Sequence, residues 1–238
     1  MRTTAITRAA ITTAAAALLI ATTATTASAT GPTAAGVAGA GAHREAGQSI
    51  TLPLTEAIDQ LAVTDEDRTG YVRTAFKHWV DADKDGCDAR KEVIKAEALE
   101  APAQGPRCAL TGGLWLSLYD DVLVTDAGRL DVDHLVPLAE AWDSGASTWT
   151  AAERQTYAND LNEPRALIAV TAASNRSKSD KDPAQWLPPA AAYRCTYLDD
   201  WVAIKTRWGL SVDAREHQAL ADLAAGCPND DVTVSLAR

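Results

Sequence analysis

An aspartate and a histidine stand side by side, Asp133 and His134, in a run (LDVDHLV) whose apolar residues alternate. Hydrolysis of a phosphodiester needs an activated water and a positive clamp on the phosphate, and one histidine with one divalent ion supplies both. We therefore expect His134 to take a proton from water and Asp133 to offer a hard oxygen ligand. The side-chain oxygen of Asn175, further along the chain, offers a second oxygen to the same ion.

Two cationic residues follow that asparagine, Arg176 and Lys178. Lys178 lies three residues after Asn175, so a helix puts the two on one face. These cations hold substrate phosphates or merely solvate a helix face, and we favour the phosphate role for Lys178. His78 has no partner motif around it and is interpreted as a solvated or structural histidine.

Residues 81–92 (DADKDGCDARKE) fit the template of a helix-flanked calcium loop. The candidate ligands are three alternating aspartates and a final glutamate: Asp81, Asp83, Asp85 and Glu92. Two features disagree with the template, because position 8 is Asp88 instead of an apolar residue and Cys87 is expected in a disulfide. The alternative to a calcium site is an acidic, solvated turn.

The chain has four cysteines, Cys87, Cys108, Cys195 and Cys227. An even count in an exported chain favours two disulfides. Of the three possible pairings we expect the short-range one, Cys87 with Cys108 and Cys195 with Cys227. A zinc site is the rival interpretation, but no two cysteines have C-x₂-C or C-x₄-C spacing.

The N-terminal segment has the composition of a secretion signal, so we expect a secreted, extracellular protein. Two arginines precede an uncharged run of 13 residues, Ala9–Ala21, and Ala27-Ser28-Ala29 follows as a small-x-small cleavage pattern. The run is shorter than the roughly 20 residues that span a bilayer, which argues against an uncleaved membrane anchor. We predict a signal peptide (1–29), a disordered Ala/Gly/Thr-rich leader (30–47) and one domain (48–238).

Hydrophobic periodicity and turn residues predict the elements that position these groups. We expect helices over residues 52–61, 68–80, 138–142, 150–160 and 214–225, a helix capped by Ser174, and a short one starting at Asp182-Pro183. We expect strands over residues 112–119, 122–125, 130–136 and 167–170. The sum is a mixed α+β fold with little strand content.

The net charge of −10 excludes one class of protein. An acidic chain gains little from counterion release, so it is not a tight, general nucleic-acid binder. The charge is uneven, because residues 165–207 contain seven basic and four acidic side chains.

Three segments, DVDHLVPLAEAW, YANDL and LIAVTAASNRSKSDKDPAQWLP, resemble secreted bacterial HNH endonuclease-like proteins. These are ββα-metal nucleases, related to the nuclease domain of GmrSD-type restriction systems. The run GYVRTAFKHWVDADKDGCDAR is similar to the N-terminal half of that family. The resemblance implies a small ββα-metal core in a helix-rich domain, His134 as general base, and a magnesium or manganese ion near Asp133 and Asn175. It also implies weakly specific DNA cutting and a brace by Asn159 on the loop that holds His134.

The chain departs from the family pattern at two positions. Many HNH enzymes have a second histidine where this chain has Asn175, and a neutral oxygen there favours Mg²⁺ over Zn²⁺. The middle asparagine of the motif is either Asn159 or Asn162. The sequence predicts a metal-dependent endonuclease whose partner is nucleic acid, with DNA favoured. The alternative is a non-catalytic extracellular calcium-binding protein. It predicts no membrane association and identifies no protein partner.

Overall fold

Within residues 45–238, the part of the chain that this computed structural model describes, short strands and helices form one α+β domain, as the sequence predicts. The strands are β1 (Ser49–Pro53), β2 (Ala103–Gly105), β3 (Ala109–Thr111), β4 (Trp115–Ser117), β5 (Val122–Val124), β6 (Leu130–His134), β7 (Leu167–Thr171) and β8 (Asp231–Ser235). The helices are α1 (Leu54–Asp59), α2 (Ala89–Ala96), α3 (Leu138–Asp143), α4 (Ala151–Ala158), α5 (Ala172–Lys178), α6 (Arg194–Trp208) and α7 (Ala214–Ala224).

The strands pair as four antiparallel ribbons in the described region: β1 with β8, β2 with β3, β4 with β5, and β6 with β7. The chain passes from β6 through α3 and α4 to β7, and α5 begins at the residue after β7. In the β6–β7 ribbon Asp133 pairs with Ile168 and His134 with Leu167. Helix α5 contacts both strands. This strand–strand–helix unit carries Asp133, His134 and Asn175.

Helix α6 lies in the centre of the core. Tyr197 and Trp201 are fully buried, and so is Lys205, whose amine binds Glu140 at 2.6 Å and Glu216 at 3.0 Å. A helix that is buried on all sides has no polar face, so its sequence lacks the period of an amphipathic helix. The sequence pattern therefore does not reveal this helix.

Two disulfides join the cysteines in the expected pairing. Cys87 binds Cys108, which ties the start of α2 to the turn after β2. Cys195 binds Cys227, which ties the first turn of α6 to the segment after α7. In the described region no cysteine is free. The predicted disulfide framework is confirmed.

The helix predicted over residues 68–80 is wrong, because the segment contains only a 3₁₀ turn, Arg73–Ala75. Val72, expected on the buried face, is 57% exposed. The backbone of Trp79 has a positive φ of 59°, which a helix does not allow. The carbonyl of Lys77 and the amide of Val80 both bond to the side chain of Asn159, the residue after α4. They therefore do not make the backbone hydrogen bonds of a helix.

Other boundaries also differ from the prediction, and the strand predicted over residues 112–119 is reduced to Trp115–Ser117. Thr171, not Ser174, caps α5, since its hydroxyl accepts from the amide of Ser174. The predicted helix at Asp182 is a turn, in which the Asp182 carboxylate accepts from the amide of Gln185 at 3.0 Å. The run 52–61 begins in β1 and becomes helical only at Leu54.

The predicted signal peptide (1–29) and most of the predicted leader (30–47) lie outside the described residues. Over residues 45–238, none of the helices combines the length and the apolar composition needed to cross a membrane. The amide of Gly47 already bonds to the carbonyl of Leu236 at 2.8 Å. The C-terminal strand region thus holds the chain from this point on.

Glu97 makes the stability of the fold depend on pH. Its carboxylate follows α2 and accepts from the amide of Ala169 on β7 at 2.8 Å, and burial raises its pKa from 4.5 to about 7. Because the folded-state pKa is the higher one, the wild type loses stability as the pH rises from about 4.5 to about 7. Glu97→Gln keeps an acceptor and should unfold with wild-type free energy at pH 4. At pH 8 it should be about 2–3 kcal/mol more stable.

Urea unfolding of both proteins at pH 4 and pH 8 measures this difference. Glu100→Gln serves as the control, since Glu100 is exposed and its substitution also removes one negative charge. If wild type and Glu97→Gln differed in free energy of unfolding by the same amount at both pH values, burial would not raise the pKa of Glu97.

Candidate active site

His134 is the last residue of β6, and its ring is held in one orientation. The side chain is 5% exposed, and Nε2 lies 3.0 Å from the carbonyl oxygen of Ala158 at the end of α4. A carbonyl only accepts, so Nε2 carries the proton and Nδ1 keeps its lone pair. Burial lowers the pKa of His134 to about 3, so the ring is neutral in the free protein. A neutral ring with an available Nδ1 is the form that accepts a proton.

Two aromatic residues pack against the His134 ring. Trp79 stacks on it at 5.2 Å between centroids, and His78 meets it edge-on at 6.1 Å. Nδ1 of His78 bonds to the Phe76 carbonyl at 2.9 Å. The packing makes His78 part of the wall around His134, which sequence reasoning did not indicate.

Asn159, which the resemblance implies as a brace near His134, bonds to the segment that forms this wall. Its Nδ2 donates to the carbonyl of Lys77 at 2.8 Å, and its Oδ1 accepts from the amide of Val80 at 2.8 Å. These two bonds flank Trp79, whose left-handed backbone is costly for a bulky residue. Asn159 thus stabilises the conformation in which Trp79 stacks on His134.

Asp133 is buried beneath the histidine and is paired with Lys178. One oxygen, Oδ2, lies 2.6 Å from the Lys178 amine and 2.7 Å from the hydroxyl of Tyr119. Burial raises the pKa of Asp133, and the charge of Lys178 opposes that rise. The Lys178 amine also donates to the carbonyl of His134 at 3.2 Å. The lysine therefore joins the end of α5 to the end of β6.

The position of Lys178 disagrees with the expected phosphate contact. Its side chain is 0% exposed, so the amine has no path to a substrate. The spacing that placed it on the face of Asn175 is correct for a helix, but this end of the helix points into the protein. Lys178 is the counter-ion of Asp133.

Asn175 and Arg176 lie at the surface end of the same helix, next to Asp131 of β6. Nδ2 of Asn175 donates to Oδ2 of Asp131 at 3.1 Å, which leaves its Oδ1 as the acceptor available to a ligand. Arg176 lies 3.8 Å from the same carboxylate and is 78% exposed. The Arg176 side chain is therefore accessible to a substrate phosphate, whereas that of Lys178 is not.

A cavity of about 460 Å³ brings these residues together. Its lining includes four predicted site residues: Asp133, His134, Asn175 and Arg176. Tyr71 and Arg73 line it as well, and neither was found by sequence reasoning. Both lie in the run that is similar to the family's N-terminal half, which is the signal that points to them. Tyr119 has no sequence signal.

The oxygen donors of the cavity suit a hard divalent ion. Oδ1 of Asp133 has no hydrogen-bond partner among residues 45–238, and Oδ1 of Asn175 is the second donor. Mg²⁺ is typically held by one or two protein oxygens with waters and substrate phosphate as its other ligands. The strand β6 ends at His134, so the two adjacent side chains Asp133 and His134 both reach the cavity.

The acidic loop is separate from this cavity. Carboxylate oxygens of Asp81, Asp83 and Asp85 lie within 4.8 Å of one another, and the amide of Ala89 closes the loop on the carbonyl of Val80. Glu92 belongs to a second such group, with Asp85 and Cys87, and its carboxylate also pairs with Lys95 at 3.2 Å. Cys87 is in the disulfide with Cys108. Calcium binding by residues 81–92 stays a prediction.

Comparison with known proteins defines the class. Residues 74–223 match the family described as GmrSD restriction endonucleases, C-terminal domain, which covers more than half of the chain. The protein is therefore nuclease-like, with nucleic acid as the coarse class of substrate. It belongs to the GmrSD restriction endonuclease C-terminal domain family. This confirms the predicted relation to GmrSD-type systems, while the finer HNH assignment stays a prediction.

One relative and one negative result complete the comparison. A protein of Arthroderma benhamiae, named "Uncharacterized secreted protein", is 41% identical over 158 residues, which is 66% of this chain and 76% of the relative. The relative is fungal, so a bacterial origin does not follow from the family. No solved structure matches the chain.

The Asp133–Lys178 pair predicts a large stability effect. Lys178→Met leaves a buried carboxylate without its counter-ion, which costs about 3–5 kcal/mol. Urea unfolding should show this loss, and the double variant Asp133→Asn/Lys178→Met should recover part of it because the unpaired charge is gone. The control is Lys181→Met, whose amine contacts the carbonyl of Ser177. A Lys178→Met protein as stable as the control would contradict the buried ion pair.

Proposed function

We propose that this protein is a secreted, metal-dependent endonuclease that hydrolyses phosphodiester bonds of DNA, with His134 as its general base. The observation that carries the proposal is the fixed His134 ring, with Nε2 bonded to the Ala158 carbonyl and the ring at a cavity shared with Asp133 and Asn175. A base must be oriented toward water before its basicity matters. The family supports the nuclease class, and the cavity supports the HNH-like assignment.

In this mechanism Nδ1 of His134 takes a proton from the attacking water. The Nε2–H bond to Ala158 then carries part of the positive charge of the ring, and the stacked Trp79 prevents rotation away from the water. A phosphate in the cavity places negative charge beside the protonated ring, which offsets the desolvation that otherwise disfavours it. No covalent intermediate with the protein is needed.

Asp133 and Asn175 would hold a Mg²⁺ or Mn²⁺ ion. When bound, the ion supplies positive charge to the phosphate and the leaving oxygen. Lys178 and Tyr119 occupy Oδ2 of Asp133 and so keep its other oxygen at the cavity. Asp131 does the same for Asn175, because it binds the amide nitrogen and leaves the amide oxygen available.

Three features support secretion. The first 29 residues have signal-peptide composition, the described domain contains two disulfides, and the fungal relative is named a secreted protein. Disulfides persist in oxidising compartments. The competing function, a non-catalytic extracellular calcium-binding protein, places no demand on His134 and predicts no cleavage.

His134→Ala should lower the rate of plasmid cleavage by about 10²–10⁴-fold, because the base is lost while Asp133 and Asn175 remain. Purified wild type and variant are incubated with supercoiled plasmid and Mg²⁺ or Mn²⁺, with EDTA as the metal-free arm. His217→Ala is the matched control, since His217 lies on α7 outside the cavity. A folded His134→Ala protein that cuts at the wild-type rate would show that His134 is not the general base. A wild type that does not cut would favour the calcium-binding alternative.

A further inference from the structure

Arg73 stands at the mouth of the same cavity without an acidic partner. It lies in the 3₁₀ turn Arg73–Ala75 and lines the cavity with Asp133 and His134. Across residues 45–238 no carboxylate comes within ion-pair distance of its guanidinium.

Three other cations near the cavity each have a carboxylate partner. Arg68 binds both Asp143 and Asp180 at 2.6–2.7 Å. Arg176 lies 3.8 Å from a carboxylate of β6, and Lys178 is buried in its ion pair. The chain has 32 acidic and 22 basic residues, so most of its surface repels an anion. A cavity arginine without a counter-ion can bind an anion without first breaking an ion pair.

The turn that carries Arg73 is fixed from both sides. Phe76, directly after it, is fully buried and packs against Trp142 and Tyr157. Arg154 donates to the carbonyl of Ala75 at 3.2 Å. The backbone of Arg73 is therefore held at the cavity, and its exposed side chain is accessible to a ligand there. A guanidinium at this position can stabilise charge that develops on a phosphate.

Arg73 lines the same cavity as the catalytic pair. Arg73, Asp133 and His134 all border the space of about 460 Å³ in which the proposed substrate phosphate would lie. A guanidinium matches the paired oxygens of a phosphate with two parallel N–H donors.

We propose that Arg73 is a catalytic residue that binds the nonbridging oxygens of the scissile phosphate and stabilises the charge that develops on them. This inference rests on the proposed nuclease function. In the step it assists, the oxygen of water forms a bond to phosphorus and the bond from phosphorus to the leaving sugar oxygen breaks. The water proton passes to Nδ1 of His134, and the leaving oxygen takes a proton from solvent.

The test compares Arg73→Ala and Arg73→Lys with the wild type on two substrates. One is a DNA duplex, and the other is bis(p-nitrophenyl) phosphate, which has a single phosphate. Loss of a donor to the transition state lowers kcat by about 10²-fold, so Arg73→Ala should lose this much on both substrates with a small change in KM. Arg73→Lys should retain part of the rate because it keeps the charge and loses the paired donors.

Arg129→Ala is the control, because Arg129 is exposed, has no ion pair in the described structure and lies outside the cavity. It removes the same charge and should leave kcat on both substrates unchanged.

Three results overturn the inference: wild-type kcat in Arg73→Ala, a change in KM alone, or a loss on DNA without a loss on the small diester. The last would mean that Arg73 binds a flanking phosphate. A wild type that cuts neither substrate overturns the nuclease function and this inference together, whereas an active wild type with an equally active Arg73→Ala overturns this inference alone.

Discussion

The buried ion pair between Asp133 and Lys178 is the interaction on which the rest of the site depends. It joins the end of β6 to the end of α5; Lys178 is fully buried, and Asp133 is buried except where it borders the cavity. Buried charges are tolerated only when they are paired and hydrogen-bonded, and here Tyr119 and the carbonyl of His134 supply the remaining bonds. The pair therefore fixes the helix relative to the strand, and Asn175, one turn before Lys178, comes to the cavity opposite the strand end.

The second constraint is the environment of the histidine. Ala158 fixes which nitrogen of His134 carries the proton, Trp79 fixes the plane of the ring, and Asn159 fixes the backbone on either side of Trp79. These contacts come from α4 and from the segment before the acidic loop, which are remote from β6 in sequence. In a chain of net charge −10, the affinity for a polyanion must come from local cations at this cavity and not from the surface as a whole.

Local sequence patterns were sufficient for the strand–strand–helix unit, because β6 and β7 alternate or run apolar and α5 follows a polar cap. They also gave Asp133, His134 and Asn175, which line one cavity. They were not sufficient for α6, whose burial on all sides removes the helical period, or for residues 68–80, whose backbone is held by Asn159. Lys178 was misjudged for a related reason: spacing along a helix defines a face, but only tertiary packing decides whether that face meets solvent or core.

The proposed mechanism depends on an unprotonated Nδ1 of His134 at the cavity, in a ring that the Nε2 bond to the Ala158 carbonyl holds in place. Long-range ¹H–¹⁵N correlation spectra of protein labelled at histidine measure this directly, with His134→Ala used to identify the signal. At neutral pH the account predicts a neutral ring in which Nε2 has the shift of a protonated nitrogen and Nδ1 that of an unprotonated one. A proton on Nδ1, or rapid averaging between the two tautomers, would contradict it.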